Sequence, residues 1–78
     1  MKYFVEFVVS ALVQHAGEVE VKMTERPDSI DCLVHLNSLD MGRVIGKRGR
    51  TISAIRNLCN AAAANGSKQV RIELVETN

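Results

Sequence analysis

The 78-residue sequence predicts an α+β fold of two layers, a three-stranded mixed sheet with three helices on one face, in the order α-β-β-α-α-β. Three observations predict it. Two neighbouring segments alternate apolar and polar residues across a short turn, a third alternating segment follows near residue 70, and apolar residues recur at helical spacing elsewhere. With no internal repeat or linker, we expect one domain over residues 1–78.

The first half of the sequence predicts a helix and a hairpin. In residues 3–15, YFVEFVVSALVQH, polar residues recur every fourth position and form one stripe on an otherwise apolar helix, with Gly17 as its stop. Residues 18–24, EVEVKMT, alternate and predict a half-buried strand. Residues 30–37, IDCLVHLN, alternate again after a turn at 26–29, so the two strands should pair antiparallel. The inward-facing residues are expected to be Val19, Val21, Met23, Ile30, Cys32, Val34 and Leu36.

The second half predicts two helices and a third strand. Asp40 is placed to cap a short helix that runs to Ile45. A glycine-containing segment, 46–49, interrupts the helical spacing, which then resumes and ends near residues 65–66. Residues 69–75, QVRIELV, alternate once more, and the helical connection makes this strand parallel to the second one. The apolar residues of the longer helix are Ile52, Ile55, Leu58, Cys59 and Ala62.

Charge is distributed unevenly along the chain. The formal net charge is only +1, but the stretch from Arg43 to Arg56 holds five cations and no acid, so the rest of the chain carries a net charge of −4. Nucleic-acid binding depends on the local field more than on the total charge. The five cations are Arg43, Lys47, Arg48, Arg50 and Arg56.

The segment Gly46-Lys47-Arg48-Gly49 combines several features that favour an anion. Its glycines let a ligand backbone approach the main chain, and the free N–H groups of the next helix, which begins near Arg50, point toward it. Two cationic side chains lie at the same point. Apolar residues frame the loop and could floor a groove, and the strands carry no aromatic residue on which a base could stack. We therefore expect a phosphate grip beside an aliphatic groove.

The segment VIGKRGRTI resembles the signature of KH domains, in which a hydrophobic-Ile-Gly-x-x-Gly-x-x-Ile segment joins two helices. The helix and strand that precede the core unit look like the type II arrangement, and GRVIGKRGRTISAIR is similar to the KhpA (YlqC-like) family of bacterial RNA-binding proteins. The resemblance implies RNA chaperone-like binding in the cytoplasm and a homodimer or a heterodimer with a KhpB/Jag-type RNA-binding protein. It also implies post-transcriptional regulation bearing on cell division, cell shape and cell wall biogenesis.

The resulting hypothesis is a single-stranded RNA-binding protein. Gly46 and Gly49 admit the RNA backbone, and the five cations supply charge. The groove is expected to be lined by Val44, Ile45 and Ile52. Two alternatives stay open: a protein–protein interaction or dimerisation module with an idle groove, and a single-stranded DNA-binding protein.

Other classes of function are disfavoured by the sequence. There is no nucleophile–base pair typical of an enzyme, and no ligand spacing connects His15 with His35, so we expect neither a metal nor another cofactor. Cys32 and Cys59 lie in a strand and a helix without a motif, which favours reduced thiols over a disulfide.

The apolar N-terminal segment raises two further points. It is too short and too polar to span a membrane, and it lacks the basic start and cleavage site of a signal peptide, so a cytoplasmic location is expected. As a helix it is apolar around most of its circumference, and Leu33 and Val75 alternate to the outer sheet face. Both features favour a protein partner, against the alternative of scattered exposed apolar residues.

Overall fold

A computed structural model describes residues 1–63 and 68–77 and places three helices and a three-stranded sheet in the predicted order. The elements are α1 (Lys2–Leu12), β1 (Glu20–Glu25), β2 (Ser29–Leu36), α2 (Met41–Ile45), α3 (Arg50–Ala62) and β3 (Gln69–Glu76). Single turns of 3-10 helix lie at Ala16–Glu18, Ser38–Asp40 and Lys47–Gly49. The α+β class is confirmed, while the helix end predicted near residues 65–66 lies outside the described residues.

The sheet has the strand order β1-β2-β3, with β2 in the centre. β1 and β2 pair antiparallel, with Val21 opposite Val34. β2 and β3 pair parallel, with Cys32 opposite Ile72. The predicted mixed sheet is confirmed. The strand directions follow from the connections, since β1 and β2 share a short turn whereas β3 is reached through helices.

The core lies between the inner sheet face and the helices. Its buried apolar residues follow the predicted alternation along the strands and the helical spacing of α1 and α3. Cys32 and Cys59 are both buried and free, and burial raises the pKa of each thiol. The core residues are Val5, Val9, Val21, Cys32, Val34, Leu36, Val44, Ile52, Ile55, Cys59, Val70 and Ile72.

The predicted C-terminal end of the first helix is wrong. α1 ends at Leu12, Val13 is already extended, and β1 begins at Glu20 rather than residue 18. The N–H groups of Gln14 and His15 donate to the carboxylate of Asp40 at 3.1 and 3.0 Å instead of to helical carbonyls. Because Asp40 accepts these two N–H groups, the helix ends before Gly17, where the sequence predicted its end.

The predicted cap by Asp40 is also wrong. Asp40 precedes α2, but its side chain accepts no hydrogen bond from that helix. It is 1% exposed, and the ring Nδ1 of His15 lies 3.0 Å from it in addition to the two backbone donors. Burial pushes the pKa of Asp40 up, but the hydrogen bonds from Gln14 and His15 outweigh it, so the pKa is lowered. Asn37 instead caps the preceding 3-10 turn, Ser38–Asp40, where its side chain accepts from the N–H of Leu39 at 2.9 Å.

Side chains of α3 cover part of the free edge of β3. The amide of Asn60 donates to the carbonyl of Val70 at 3.1 Å and accepts from its N–H at 2.9 Å. The guanidinium of Arg56 donates to the carbonyl of Ile72 at 3.2 Å. Because unpaired strand edges promote association with other strands, these contacts both fix α3 on the sheet and protect the edge.

None of the helices within residues 1–63 and 68–77 has the length and apolarity that a membrane crossing requires.

Candidate nucleic-acid interface

The Gly46–Gly49 segment forms a tight connection between α2 and α3. The N–H of Gly46 donates to the carbonyl of Gly42 at 2.9 Å and closes α2. The N–H of Gly49 donates back to the carbonyl of Gly46 at 3.1 Å, so the four residues form a single turn. The helix α3 then starts at Arg50, whose N–H donates to the carbonyl of Lys47, and the N–H groups that follow in the first turn have no partner within the helix.

The two glycines of this loop are required for different reasons. Gly46 has φ +76° and ψ 174°, a conformation essentially restricted to glycine. A Cβ atom there would lie 2.2 Å from Thr51 Oγ1 and 2.8 Å from Thr51 N, so the position also lacks space. Gly49 has φ +74°, but a Cβ atom there would meet nothing within 4 Å. The surface above Gly49 is therefore open to an approaching ligand, whereas Gly46 is fixed against Thr51.

Arg48 also adopts a left-handed conformation, with φ 58° and ψ 25°. This costs a residue with a Cβ atom about 1 kcal/mol. Three of the four loop residues therefore have positive φ, and the main chain changes direction between α2 and α3 within these few residues. The strain lies at the most cationic point of the chain, as is common at functional sites.

The predicted cations differ in how far their charges are neutralised. Lys47, Arg48 and Arg50 are exposed and have no side-chain partner among the described residues. The Nε of Arg43 lies 4.0 Å from Asp40 Oδ1. Arg56 donates to a neutral carbonyl, so its charge is also uncompensated. The loop therefore presents three unpaired positive charges at the N-terminus of α3, where the helix dipole adds to their field.

The three predicted groove residues do not share one environment. Val44 is 0% exposed and Ile52 is 6% exposed, and both belong to the core beneath the loop. Ile45 is 37% exposed, at the last position of α2. Among these three residues, Ile45 offers most of the apolar surface, and the other two hold the helices that flank the loop. Their contact with a ligand stays a prediction.

Sequence reasoning missed Thr51 and assigned a different role to Asp40. Thr51 closes the space above Gly46, and Asp40 joins the end of α1 to the start of α2. An acid before an apolar run usually indicates a helix cap, and a partner 25 or 26 residues away leaves no local pattern. The only sequence signal for Asp40 is a single acid between Leu39 and Met41.

Comparison with known proteins identifies a family to which this chain is similar. Residues 2–74 match the family model described as KhpA/KhpB, KH domain. The chain is 37% identical over 76 residues to the RNA-binding protein KhpA of Halalkalibacterium halodurans, covering 97% of this chain and 100% of the relative. It is 36% identical to the RNA-binding protein KhpA of Listeria monocytogenes, with the same coverage. The RNA-binding protein KhpA of Borreliella burgdorferi is 35% identical over 72 residues, which is 92% of this chain and 88% of that protein.

Proposed function

The chain belongs to the KhpA/KhpB KH-domain family, and from this premise we propose that it binds single-stranded RNA at the loop between α2 and α3. One observation carries the location: Lys47, Arg48 and Arg50 present three unpaired charges on a glycine turn at the start of α3. A phosphate needs both a close approach to main-chain donors and a local positive field. The loop supplies both the main-chain donors and the positive field.

The proposed mechanism divides the work among the loop residues. Gly49 leaves open space through which the RNA backbone reaches the first N–H groups of α3. Lys47 and Arg48 add charge-assisted hydrogen bonds to phosphate oxygens. Gly46 holds the turn closed against Thr51. The exposed part of Ile45 contacts a base or a ribose, because no aromatic side chain lies in the loop.

The choice of RNA over DNA rests on the relatives, which are named as RNA-binding proteins. A protein distinguishes the two nucleic acids through the 2′-hydroxyl group. Binding of RNA and DNA oligonucleotides of identical sequence decides this point, and tighter binding of the DNA would favour the single-stranded DNA-binding alternative.

The test of the site is the double variant Lys47→Asp/Arg48→Asp. Loss of two phosphate contacts should weaken binding of a short single-stranded RNA at least tenfold and make the salt slope shallower by about 1.4, at about 0.7 per phosphate. A matched control is Lys2→Asp/Lys22→Asp, which changes the net charge equally on α1 and β1. An idle groove predicts that the loop variant and the control bind alike.

We also propose that α1 forms a protein interface. Tyr3 is 83% exposed and Phe7 is 76% exposed, and at spacing i, i+4 they share one side of the helix. Large aromatic side chains are enriched at protein interfaces. The occupant is a second copy of this chain or a KhpB/Jag-type protein, as the sequence resemblance implies. Two coupled RNA sites then gain affinity through effective concentration.

The interface is tested with Tyr3→Glu/Phe7→Glu. The variant should sediment as a monomer under conditions in which the wild type associates, and it should lose affinity for long RNA more than for short RNA. If the wild type remains monomeric at high concentration, the heterodimer is the remaining form of this proposal. Mixing the chain with the KhpB/Jag-type protein tests that form. A cytoplasmic location and an RNA chaperone role in post-transcriptional regulation of cell shape and cell wall growth complete the proposal.

A further inference from the structure

A second basic site lies on the helix-free face of the sheet. There, a pocket of about 580 Å³ is lined by side chains of all three strands and by Arg56, which reaches over the edge of β3 from α3. The outward strand residues of the pocket alternate with the buried positions and face away from the helices, and the core residues Cys32 and Ile72 also border it. The lining includes Thr24, Asp31, Leu33, Arg71 and Glu73.

The pocket carries an excess positive charge. Arg26, also in its lining, neutralises Asp31 through an ion pair of 2.8 Å. Arg71 has no side-chain partner among the described residues, and Arg56 contacts only a neutral carbonyl. Glu73 opposes these two cations and has no ion-pair partner in the described chain. After the Arg26 pair, the pocket holds two positive charges and one negative charge, which favours an anion.

Helix α3 runs from the loop to Arg56, which lines the pocket. Arg50 begins this helix at the loop, and Arg56 lies six residues later, about 9 Å along the axis at about 1.5 Å per residue. A loop of this kind clamps about four nucleotides. A longer strand that leaves the loop along the edge of β3 therefore meets Arg56 next and Arg71 after it.

We propose that this pocket binds the backbone of the same single-stranded RNA beyond the nucleotides held at the loop. Arg56 and Arg71 hold a phosphate, and the half-exposed Leu33 supplies an apolar surface for the adjoining ribose or base. An acidic protein segment could use the two arginines, but the connection of the loop to Arg56 along α3 favours a strand that the loop already holds. The inference rests on the proposed RNA-binding function and extends its site.

The experiment compares RNAs of four and eight nucleotides with three variants of the sheet face. Arg71→Gln should weaken binding of the eight-nucleotide RNA by about threefold to tenfold and make its salt slope shallower by about 0.7, while the four-nucleotide RNA changes less than about twofold. Glu73→Gln removes the opposing charge and should strengthen binding of the longer RNA by about twofold to fivefold. Lys22→Gln, on the same face outside the pocket lining, should leave both affinities unchanged.

The outcomes separate this inference from the function beneath it. If Lys47→Asp/Arg48→Asp abolishes binding of both RNAs while Arg71→Gln binds the longer RNA normally, RNA binding at the loop is supported. The proposal for the pocket is then overturned. Equal losses in Arg71→Gln and Lys22→Gln would show a general charge effect and also overturn it. If the loop variant binds the four-nucleotide RNA normally, the proposed function itself is wrong. Circular dichroism of each variant confirms that the fold is unchanged.

Discussion

Replacing Gly46 by alanine places a methyl group in space that Thr51 already occupies. The Cβ atom would lie 2.2 Å from Thr51 Oγ1, 2.6 Å from its Cβ and 2.8 Å from its backbone nitrogen. The φ of +76° with ψ of 174° is itself a glycine conformation, which costs other residues about 1–3 kcal/mol. Overpacking typically adds about 1–3 kcal/mol. Together these terms predict that Gly46→Ala lowers the free energy of unfolding by about 2–6 kcal/mol.

Two other glycines calibrate this effect. Gly49 has a φ of +74°, but the space beside it is open. Gly49→Ala should therefore lose only the backbone contribution, about 1–2 kcal/mol of the free energy of unfolding. Gly42 lies within α2, has open space and lacks a positive φ. Gly42→Ala should therefore raise the free energy of unfolding by about 0.5–1 kcal/mol. A 78-residue domain has a total stability of about 4–12 kcal/mol, so Gly46→Ala removes a large share of it.

Urea unfolding followed by circular dichroism measures all three variants, provided that the slopes agree. Adding Thr51→Ala to Gly46→Ala should recover little, because the contacts to the Cβ and the backbone nitrogen remain. The reasoning is refuted if Gly46→Ala and Gly49→Ala differ by less than about 1 kcal/mol, or if Thr51→Ala restores full stability.

Two further predictions concern side chains outside the loop. Asn60→Ala removes the amide that covers the edge of β3, and it should cost about 1–3 kcal/mol in urea unfolding, whereas the exposed Asn57→Ala stays within about 0.5 kcal/mol of wild type; similar losses in both would contradict the edge role. Because the folded pKa of Asp40 is lowered, its stabilising effect is present above the unfolded value of about 3.9 and is lost as the pH falls through the folded pKa. Asp40→Asn should therefore lower the urea midpoint at pH 7, and its difference from wild type should narrow below about pH 4; a difference that does not change with pH would refute this.

Features that depend on local pattern could be predicted from the sequence. The alternation around Val21, Val34 and Ile72 specifies the strands and their inner face, and the two glycines with their cations mark the loop. The predicted order, strand directions and start of α3 are confirmed because each follows from short-range spacing or from the rules of strand connection.

Features that depend on distant contacts could not be predicted in this way. The early end of α1 follows from the contact of Gln14 and His15 with Asp40, which is distant in sequence. The burial of Val44 beside the exposed Ile45 follows from the orientation of a five-residue helix, which is too short for its periodicity to decide. The sequence therefore locates the candidate site but does not distinguish its surface from its support.

The central claim is that RNA is held at the loop between α2 and α3, and amide chemical-shift mapping tests it most directly. A ¹⁵N-labelled wild-type protein is titrated with a four-nucleotide single-stranded RNA. The account predicts that the largest shifts occur at Lys47 to Thr51, in the loop and at the start of α3, and that they saturate with the binding curve. Saturable shifts confined to α1 or to the outer sheet face, with the loop amides unmoved, would contradict it.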